Sequence, residues 1–150
     1  VNIDKNNTNV PDGMEPDAVK AGQDYENIIK NYGGIDLQLL GLGNNGHIGF
    51  NEPCDEFIDE THVVDLTQST IEANKRFFAS IDDVPKQAYT MGIGSIMRAK
   101  RVLMVVNGKG KAEIVKEAFF GPITPKVPAS ILQLHNDFIL IVDVEALSCL

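Results

Sequence analysis

The chain has 150 residues, of which 43% are hydrophobic and 23% charged, and these values are typical of one globular domain. Its 13 Lys and Arg residues against 21 Asp and Glu give a formal net charge of -8, which argues against binding to nucleic acid or to anionic lipid. The longest apolar runs have the length of a strand, well short of the roughly 20 residues that cross a membrane as a helix.

The first third of the chain predicts a loop, a helix and a buried strand. Residues 1–16 are rich in Asn, Asp and Pro and show no periodic spacing of apolar residues, which indicates a loop. A strand formed by the first few residues is the alternative. Residues 17–32 place apolar side chains on one helical face, and Gly33 supplies the stop. Residues 35–42 (IDLQLLGL) are almost continuously apolar, which favours a strand that is covered on both faces.

The middle of the chain is more polar and predicts shorter elements. Residues 61–66 indicate a short strand, and residues 69–78 indicate a helix that turns three apolar side chains inward, those of Ile71, Ala73 and Phe77.

The last third predicts two more rounds of strand and helix. The predicted strands and helices are a short strand at 89–93, a short helix at 95–99, a buried strand at 101–106, a helix at 111–120, a helix at 128–134, a buried strand at 138–142 and the first turns of a helix at 145–150.

Buried strands that alternate with helices predict an α/β fold with a mainly parallel sheet and helices on both faces. Ligands of such sheets bind beyond the carboxyl ends of the strands. We therefore expect the functional site at the loops that open at Gly43 and Asn107.

The loop at residues 43–53 (GNNGHIGFNEP) contains a His and a Glu five positions apart, His47 and Glu52. A His with a carboxylate partner can move protons near neutral pH. For an isolated His and Glu, however, the commoner arrangement is a His bonded to its own loop and a solvated Glu. The pair alone leaves the function open.

The complete string closely resembles the signature of the glucosamine-6-phosphate deaminase (isomerase) family. The sister 6-phosphogluconolactonase family has a similar Gly-His loop but lacks the Phe-Asn-Glu-Pro ending seen at residues 50–53. The resemblance extends from about residue 1 to residue 143 and includes further matched segments: YGGI at 32–35, RFF at 76–78, VPK at 84–86, TMGIG at 90–94 and LQLH at 132–135.

This resemblance implies a Rossmann-like enzyme that converts glucosamine 6-phosphate and water into fructose 6-phosphate and ammonia without a metal or an organic cofactor. It also implies that the catalytic residues are His47, Asn45 and Glu52. His47 matches the residue that moves a proton during ring opening, and Glu52 matches the carboxylate that orients it. Asn45 stands where some members have Asp, so the ring lies beside a neutral amide, which stabilises imidazolium less than a carboxylate does.

The resemblance also implies that Arg76 and Lys111 hold the substrate phosphate. For Lys111 the local pattern agrees, because a strand, a Gly-rich turn and a helix N-terminus form an anion site. For Arg76, the match to the family is the only argument against an ordinary solvated cation.

The family's enolisation base, an Asp, and its Gly-rich phosphate loop lie upstream of the segments matched here. We therefore expect residues 1–150 to be the C-terminal part of a single deaminase domain whose N-terminal part is absent, truncated at both ends and inactive by itself. Two alternatives remain open: a 6-phosphogluconolactonase-like hydrolase and a non-catalytic phosphosugar-binding domain.

The sequence also gives expectations about the compartment, the partners and the cysteines of the protein. The first nine residues have no export signal, so we expect a cytoplasmic protein. Its partner is a small sugar phosphate, neither nucleic acid nor membrane, and association of identical copies is left open. Cys54 and Cys149 lie far apart and without ligand spacing to a His, so neither a disulfide nor a metal site is expected.

Overall fold

The structure, a computed structural model, describes residues 2–150 except for the side chains of residues 69 and 73. Its helices and strands are, in chain order, α1 (Ala18–Asn31), β1 (Leu37–Leu40), β2 (His62–Asp65), α2 (Gln68–Asn74), β3 (Gln87–Thr90), α3 (Ile93–Met97), β4 (Arg101–Val106), α4 (Ala112–Phe120) and β5 (Phe138–Val142). Short 3-10 helices lie at Lys5–Asn7, Lys75–Phe77, Ile81–Asp83, Lys109–Lys111 and Pro128–Leu134.

The main sheet has three parallel strands in the order β1-β4-β5. Leu39 of β1 lies opposite Leu103 of β4, which in turn lies opposite Ile139 of β5. Strands β2 and β3 form a separate antiparallel ribbon, in which His62 faces Thr90. The predicted α/β fold with a mainly parallel sheet is confirmed.

Helix α1 begins and ends as its sequence predicts. The Asp17 carboxylate accepts hydrogen bonds from the backbone N–H groups of Val19 and Lys20, which would otherwise have no partner. Gly33, with φ of 82°, follows the last turn. The helix packs against the start of β2 at Gly22, where a Cβ atom would collide with the carbonyl of Thr61. This close approach requires glycine.

The hydrophobic core lies on one face of the main sheet. The inward side chains of the central strand β4 are almost completely buried against α4, α3 and the 3-10 helix at Pro128–Leu134. The core residues with at most 3% exposure include Val102, Met104, Val106, Val115, Ala118, Ala129 and Leu132.

The opposite face of the sheet is apolar but exposed within residues 2–150. Its five exposed aliphatic side chains retain between 39% and 63% of their accessible surface: Leu37, Leu39, Val105, Ile139 and Ile141. The prediction that residues 35–42 are covered on both faces is therefore wrong for the described chain, in which the core packs on one face only. The composition of the strands is that of a fully buried sheet.

Some predicted helices take another form. The helix predicted at 69–78 ends at Asn74 and continues as a 3-10 helix, which leaves Phe77 69% exposed rather than inward; the side chain of residue 73 lies outside the described residues. Residues 128–134 form a 3-10 helix, and residues 145–150 form turns rather than the start of a helix. No helix within residues 2–150 combines the length and the hydropathy that a membrane crossing requires.

Leu132 and Leu134 belong to the same 3-10 helix but differ in burial, 0% against 62% exposed. Because Leu132→Ala leaves a cavity in the core, we expect it to lower the free energy of unfolding by about 2–5 kcal/mol. Leu134→Ala serves as the matched control and should change it by less than about 0.5 kcal/mol. Urea unfolding of both variants measures the difference, and equal losses would contradict the assignment of the core to this face.

Candidate active site

The loop that follows β1 and the turn that follows β4 meet at one edge of the sheet. Because β1 and β4 are parallel neighbours, their carboxyl ends lie side by side. The loop contributes residues 43–53, and the turn after β4 leads through the 3-10 helix Lys109–Lys111 into α4. The structure thus confirms that these two segments come together where the strand pattern predicts.

Glycines give the loop a compact path. Gly46 has φ of 85° and Gly49 has φ of 59°, a region of backbone conformation that favours glycine. The Gly43 N–H donates to the carbonyl of His47 across the turn, 2.9 Å. A Cβ atom on Gly43 would collide with the His47 imidazole, so the absence of a side chain at Gly43 lets the ring lie against the backbone.

The side chains of Asn45, His47 and Glu52 form one hydrogen-bonded group. His47 Nδ1 lies 2.8 Å from Asn45 Oδ1 and 3.3 Å from Glu52 Oε1. Asn45 Nδ2 donates to Glu52 Oε2 at 2.5 Å, which directs its Oδ1 toward the ring. Because an amide oxygen can only accept, Nδ1 carries the proton of the neutral imidazole and Nε2 is left with a free lone pair.

Lys111 reaches the same loop from the start of α4. Its Nζ donates to the carbonyl of Leu42 at 2.7 Å and to Asn44 Oδ1 at 2.5 Å. Partial burial lowers the pKa of this ammonium group, because desolvation disfavours its charge. An ammonium has three N–H donors, so one remains for a ligand.

His47 and Lys111 line one open cleft of about 490 Å³. The other lining residues come from the strand end and the loop: Gly41, Leu42, Gly43, Asn44 and Gly49. The cleft therefore offers a proton-transfer group and a cation along a wall of backbone. Within the described residues, no Asp or Glu lines it.

The turn that leads to Lys111 is held by Asp143, which directly follows β5. The Gly108 N–H donates to both carboxylate oxygens of Asp143, at 2.9 and 3.1 Å, and the Ala146 N–H donates to Oδ1. Gly108 has φ of 89°. The role of Asp143 was not predicted from the sequence, although its position directly after a buried strand was the available signal.

Arg76 is the one candidate residue that lies elsewhere. It belongs to the 3-10 helix Lys75–Phe77, is exposed, and its guanidinium carbon stacks 4.7 Å from the Phe77 ring centroid. It is not among the residues that line the cleft of His47 and Lys111. The structure brings together four of the five candidates, Asn45, His47, Glu52 and Lys111, and leaves Arg76 apart.

His62 and His135 have local partners. His62 Nδ1 lies 2.8 Å from the carbonyl of Glu60, and His135 Nε2 lies 2.9 Å from the carbonyl of Ala99. The Asp137 N–H donates to His135 Nδ1. Both ring nitrogens of His135 are thus occupied, which fits a structural role. The two cysteines are free thiols.

Residues 1–140 match the family described as glucosamine-6-phosphate isomerases/6-phosphogluconolactonase. A glucosamine-6-phosphate deaminase from Clostridium perfringens is 56% identical over 146 residues, which cover 97% of this chain and 60% of the relative. Another, from Lachnoclostridium phytofermentans, is 57% identical over 141 residues, 94% of this chain and 60% of the relative. The chain spans about 60% of the length of these curated relatives.

Two solved structures resemble the fold. One is described as a monomeric glucosamine-6-phosphate deaminase; it is 46% identical, has a TM-score of 0.85, and the match covers 95% of this chain and 59% of that one. The other is a 6-phosphogluconolactonase from Trypanosoma cruzi, with 22% identity, a TM-score of 0.63, and coverage of 87% and 51%. The second likeness concerns the fold alone.

Proposed function

The chain belongs to the family of glucosamine-6-phosphate isomerases and 6-phosphogluconolactonases, and on that premise we propose that the protein carrying it converts glucosamine 6-phosphate and water into fructose 6-phosphate and ammonia. The observation that carries the proposal is the cleft lined by both His47 and Lys111, in which His47 is hydrogen-bonded to Asn45 and lies 3.3 Å from Glu52. Identity above 50% to deaminases, against 22% to a lactonase, supports the same choice.

His47 is assigned to ring opening. Its Nε2 takes the proton of the anomeric hydroxyl, the bond between the first carbon and the ring oxygen breaks, and the imidazolium returns the proton to that oxygen. Glu52 stabilises the imidazolium from the Nδ1 side, where its Oε1 lies 3.3 Å away. Asn45 fixes the tautomer without adding charge.

Lys111 and Arg76 are assigned to the phosphate. The Lys111 ammonium is already directed toward the loop by Leu42 and Asn44, so it is ordered before the substrate arrives. A phosphate in the cleft favours the charged form and opposes the lowering of the pKa of Lys111 by burial. For Arg76 the proposal requires that the substrate, or a movement of the segment around it, brings guanidinium and phosphate together.

Removal of the proton at the second carbon of the sugar needs a base. Within the described residues, no Asp or Glu lines the cleft. The matched relatives are longer than this chain, which covers 60% of the first of them. We assign the base to the segment of the protein that corresponds to the remainder of these relatives. The exposed apolar face of the sheet supports the same arrangement, because further chain packed on Leu39, Val105 and Ile141 would complete the domain. Residues 1–150 are thus proposed as one part of a single deaminase domain.

We also place the protein in the cytoplasm, where thiols remain reduced. Cys54 and Cys149 are both free, as that compartment favours.

The proposed reaction is tested by assaying the intact protein for ammonia released from glucosamine 6-phosphate and, in parallel, for opening of 6-phosphogluconolactone. The proposal expects ammonia. Lactone opening without ammonia would assign the protein to the other branch of its family, and binding of the sugar phosphate with neither product would make it a binding protein.

His47→Gln in the intact protein should lower kcat with the cyclic sugar about 10²- to 10⁴-fold, the usual contribution of general acid–base catalysis. A substrate already in its open form bypasses the step and should be affected much less. His62→Gln is the control, because His62 lies on β2 and contacts the carbonyl of Glu60. An unchanged rate for His47→Gln with the cyclic sugar would refute the assignment.

Lys111→Met should raise KM for the phosphorylated sugar much more than it lowers kcat, because the lost contact acts equally on ground state and transition state. Lys116→Met removes the same charge from an exposed position on α4 and should leave both constants near those of the unmodified protein. Steady-state kinetics measure KM and kcat of both variants. Equal KM values for Lys111→Met and Lys116→Met would show that the phosphate binds elsewhere.

The 150-residue chain alone should release no ammonia, because the proposed base is missing and the exposed sheet face favours association. Ammonia release by the purified chain is measured with and without the separately produced remainder of the protein. Turnover by the chain alone, at the rate of the intact protein, would show that the base lies within these residues.

A further inference from the structure

The turn at Ile48–Asn51 joins the two ends of the proposed proton-transfer group. His47 directly precedes Ile48, and Glu52 directly follows Asn51. The Asn51 N–H donates to the carbonyl of Ile48 at 3.1 Å, and the two residues pair as an isolated antiparallel bridge. The position of this turn therefore determines the distance between the imidazole and the carboxylate.

The side chain of Asn51 ties the turn to the end of β3. Its Nδ2 donates to the carbonyl of Ile48 and to the carbonyl of Met91, both at 2.9 Å. Asn51 is only 7% exposed. Because a reversed amide would set its oxygen against two carbonyl oxygens, the orientation of the group is fixed.

Thr90 makes a second tie at the same place. Its Oγ1 accepts a hydrogen bond from the Phe50 N–H at 3.0 Å and donates to the carbonyl of Met91 at 3.3 Å. A Cβ atom on Gly49 would collide with that hydroxyl, so the turn and Thr90 are in direct contact. Thr90 is 5% exposed and Ile48 is fully buried.

Asn51 Oδ1 is buried and has no hydrogen-bond partner in the described chain. A buried acceptor without a partner is unfavourable, so an apolar residue of similar size would avoid that penalty. Departures from the rules of stability are expected where a residue serves the site. The two N–H donors of Asn51, rather than its oxygen, account for its presence.

We propose that Asn51, together with Thr90, is a positioning residue that clamps the turn between His47 and Glu52 to the end of β3 and so sets the geometry of that pair. The inference rests on the proposed function insofar as the pair acts on substrate; the clamp itself is a property of the loop. Neither Asn51 nor Thr90 is among the residues that line the cleft, so their effect on the His47–Glu52 geometry is transmitted through the turn.

The test compares Asn51→Asp with Gln133→Glu in the intact protein. Gln133 also bridges two carbonyls, those of Ala118 and Gly121, but at the end of α4 away from the loop. We expect Asn51→Asp to lower kcat about 10- to 100-fold, the effect of a small misplacement of reacting groups, with KM changed less than about threefold. Hydrogen exchange of the Phe50 and Asn51 amides should accelerate. Gln133→Glu should change neither.

If Asn51→Asp does not fold, the pair Thr90→Val and Thr90→Ser supplies the same readout. Valine keeps the shape but removes the acceptor of the Phe50 N–H, so kcat should fall and exchange at Phe50 should rise; serine keeps the hydroxyl and should restore both. The proposal is overturned if Thr90→Ser is as impaired as Thr90→Val, if KM rises in step with the fall in kcat, or if exchange accelerates while kcat stays unchanged.

Failure of the proposed function can be distinguished from failure of the clamp. An unmodified protein that releases no ammonia contradicts the deaminase assignment, whereas the His47–Glu52 distance in crystal structures of the variants tests the clamp without reference to turnover. A pair distance that is unchanged in Asn51→Asp and Thr90→Val would refute the clamp.

Discussion

The site depends on the parallel pairing of β1 with β4. This pairing brings the loop after one strand and the turn after the other to a single edge, so that Lys111 can bond to the carbonyl of Leu42 across 69 positions of the sequence. β5 then extends the sheet on the other side of β4, and Asp143, which directly follows β5, holds the Gly108 turn. Cation, imidazole and turn owe their mutual positions to three strands with their carboxyl ends aligned.

The loop at residues 43–53 is ordered by polar side chains and by Ile48, which is 0% exposed and belongs to the hydrophobic core. Asn45 contacts both His47 and Glu52, and Asn51 joins the carbonyl of Ile48 in the adjoining turn to the carbonyl of Met91, directly after β3. The contact with Asn45 fixes the tautomer of the His47 imidazole, since Asn45 Oδ1 can only accept. It also leaves the ring's other nitrogen for chemistry.

Much of the fold could be predicted because its decisive signals are local. Residues 102–106 and 138–142 are continuous apolar runs, and the strands predicted at 101–106 and 138–142 agree with β4 and β5. The signature loop singled out His47 and Glu52 as candidates, and the structure places their side chains 3.3 Å apart. The clamp could not be predicted, because Asn51 and Met91 lie 40 positions apart and nothing in the sequence pairs them. The exposure of Leu39 depends on what packs on the second face, which strand composition does not reveal.

We propose residues 43–53 and Lys111 as one site for a phosphorylated amino sugar. A crystal structure of the intact protein with an unreactive glucosamine 6-phosphate analogue tests it most directly. We expect the phosphate about 3 Å from Lys111 Nζ and the ring oxygen, or its open-chain counterpart, within hydrogen-bonding distance of His47 Nε2. An analogue bound away from this cleft, or bound with no contact to Nε2, would contradict it.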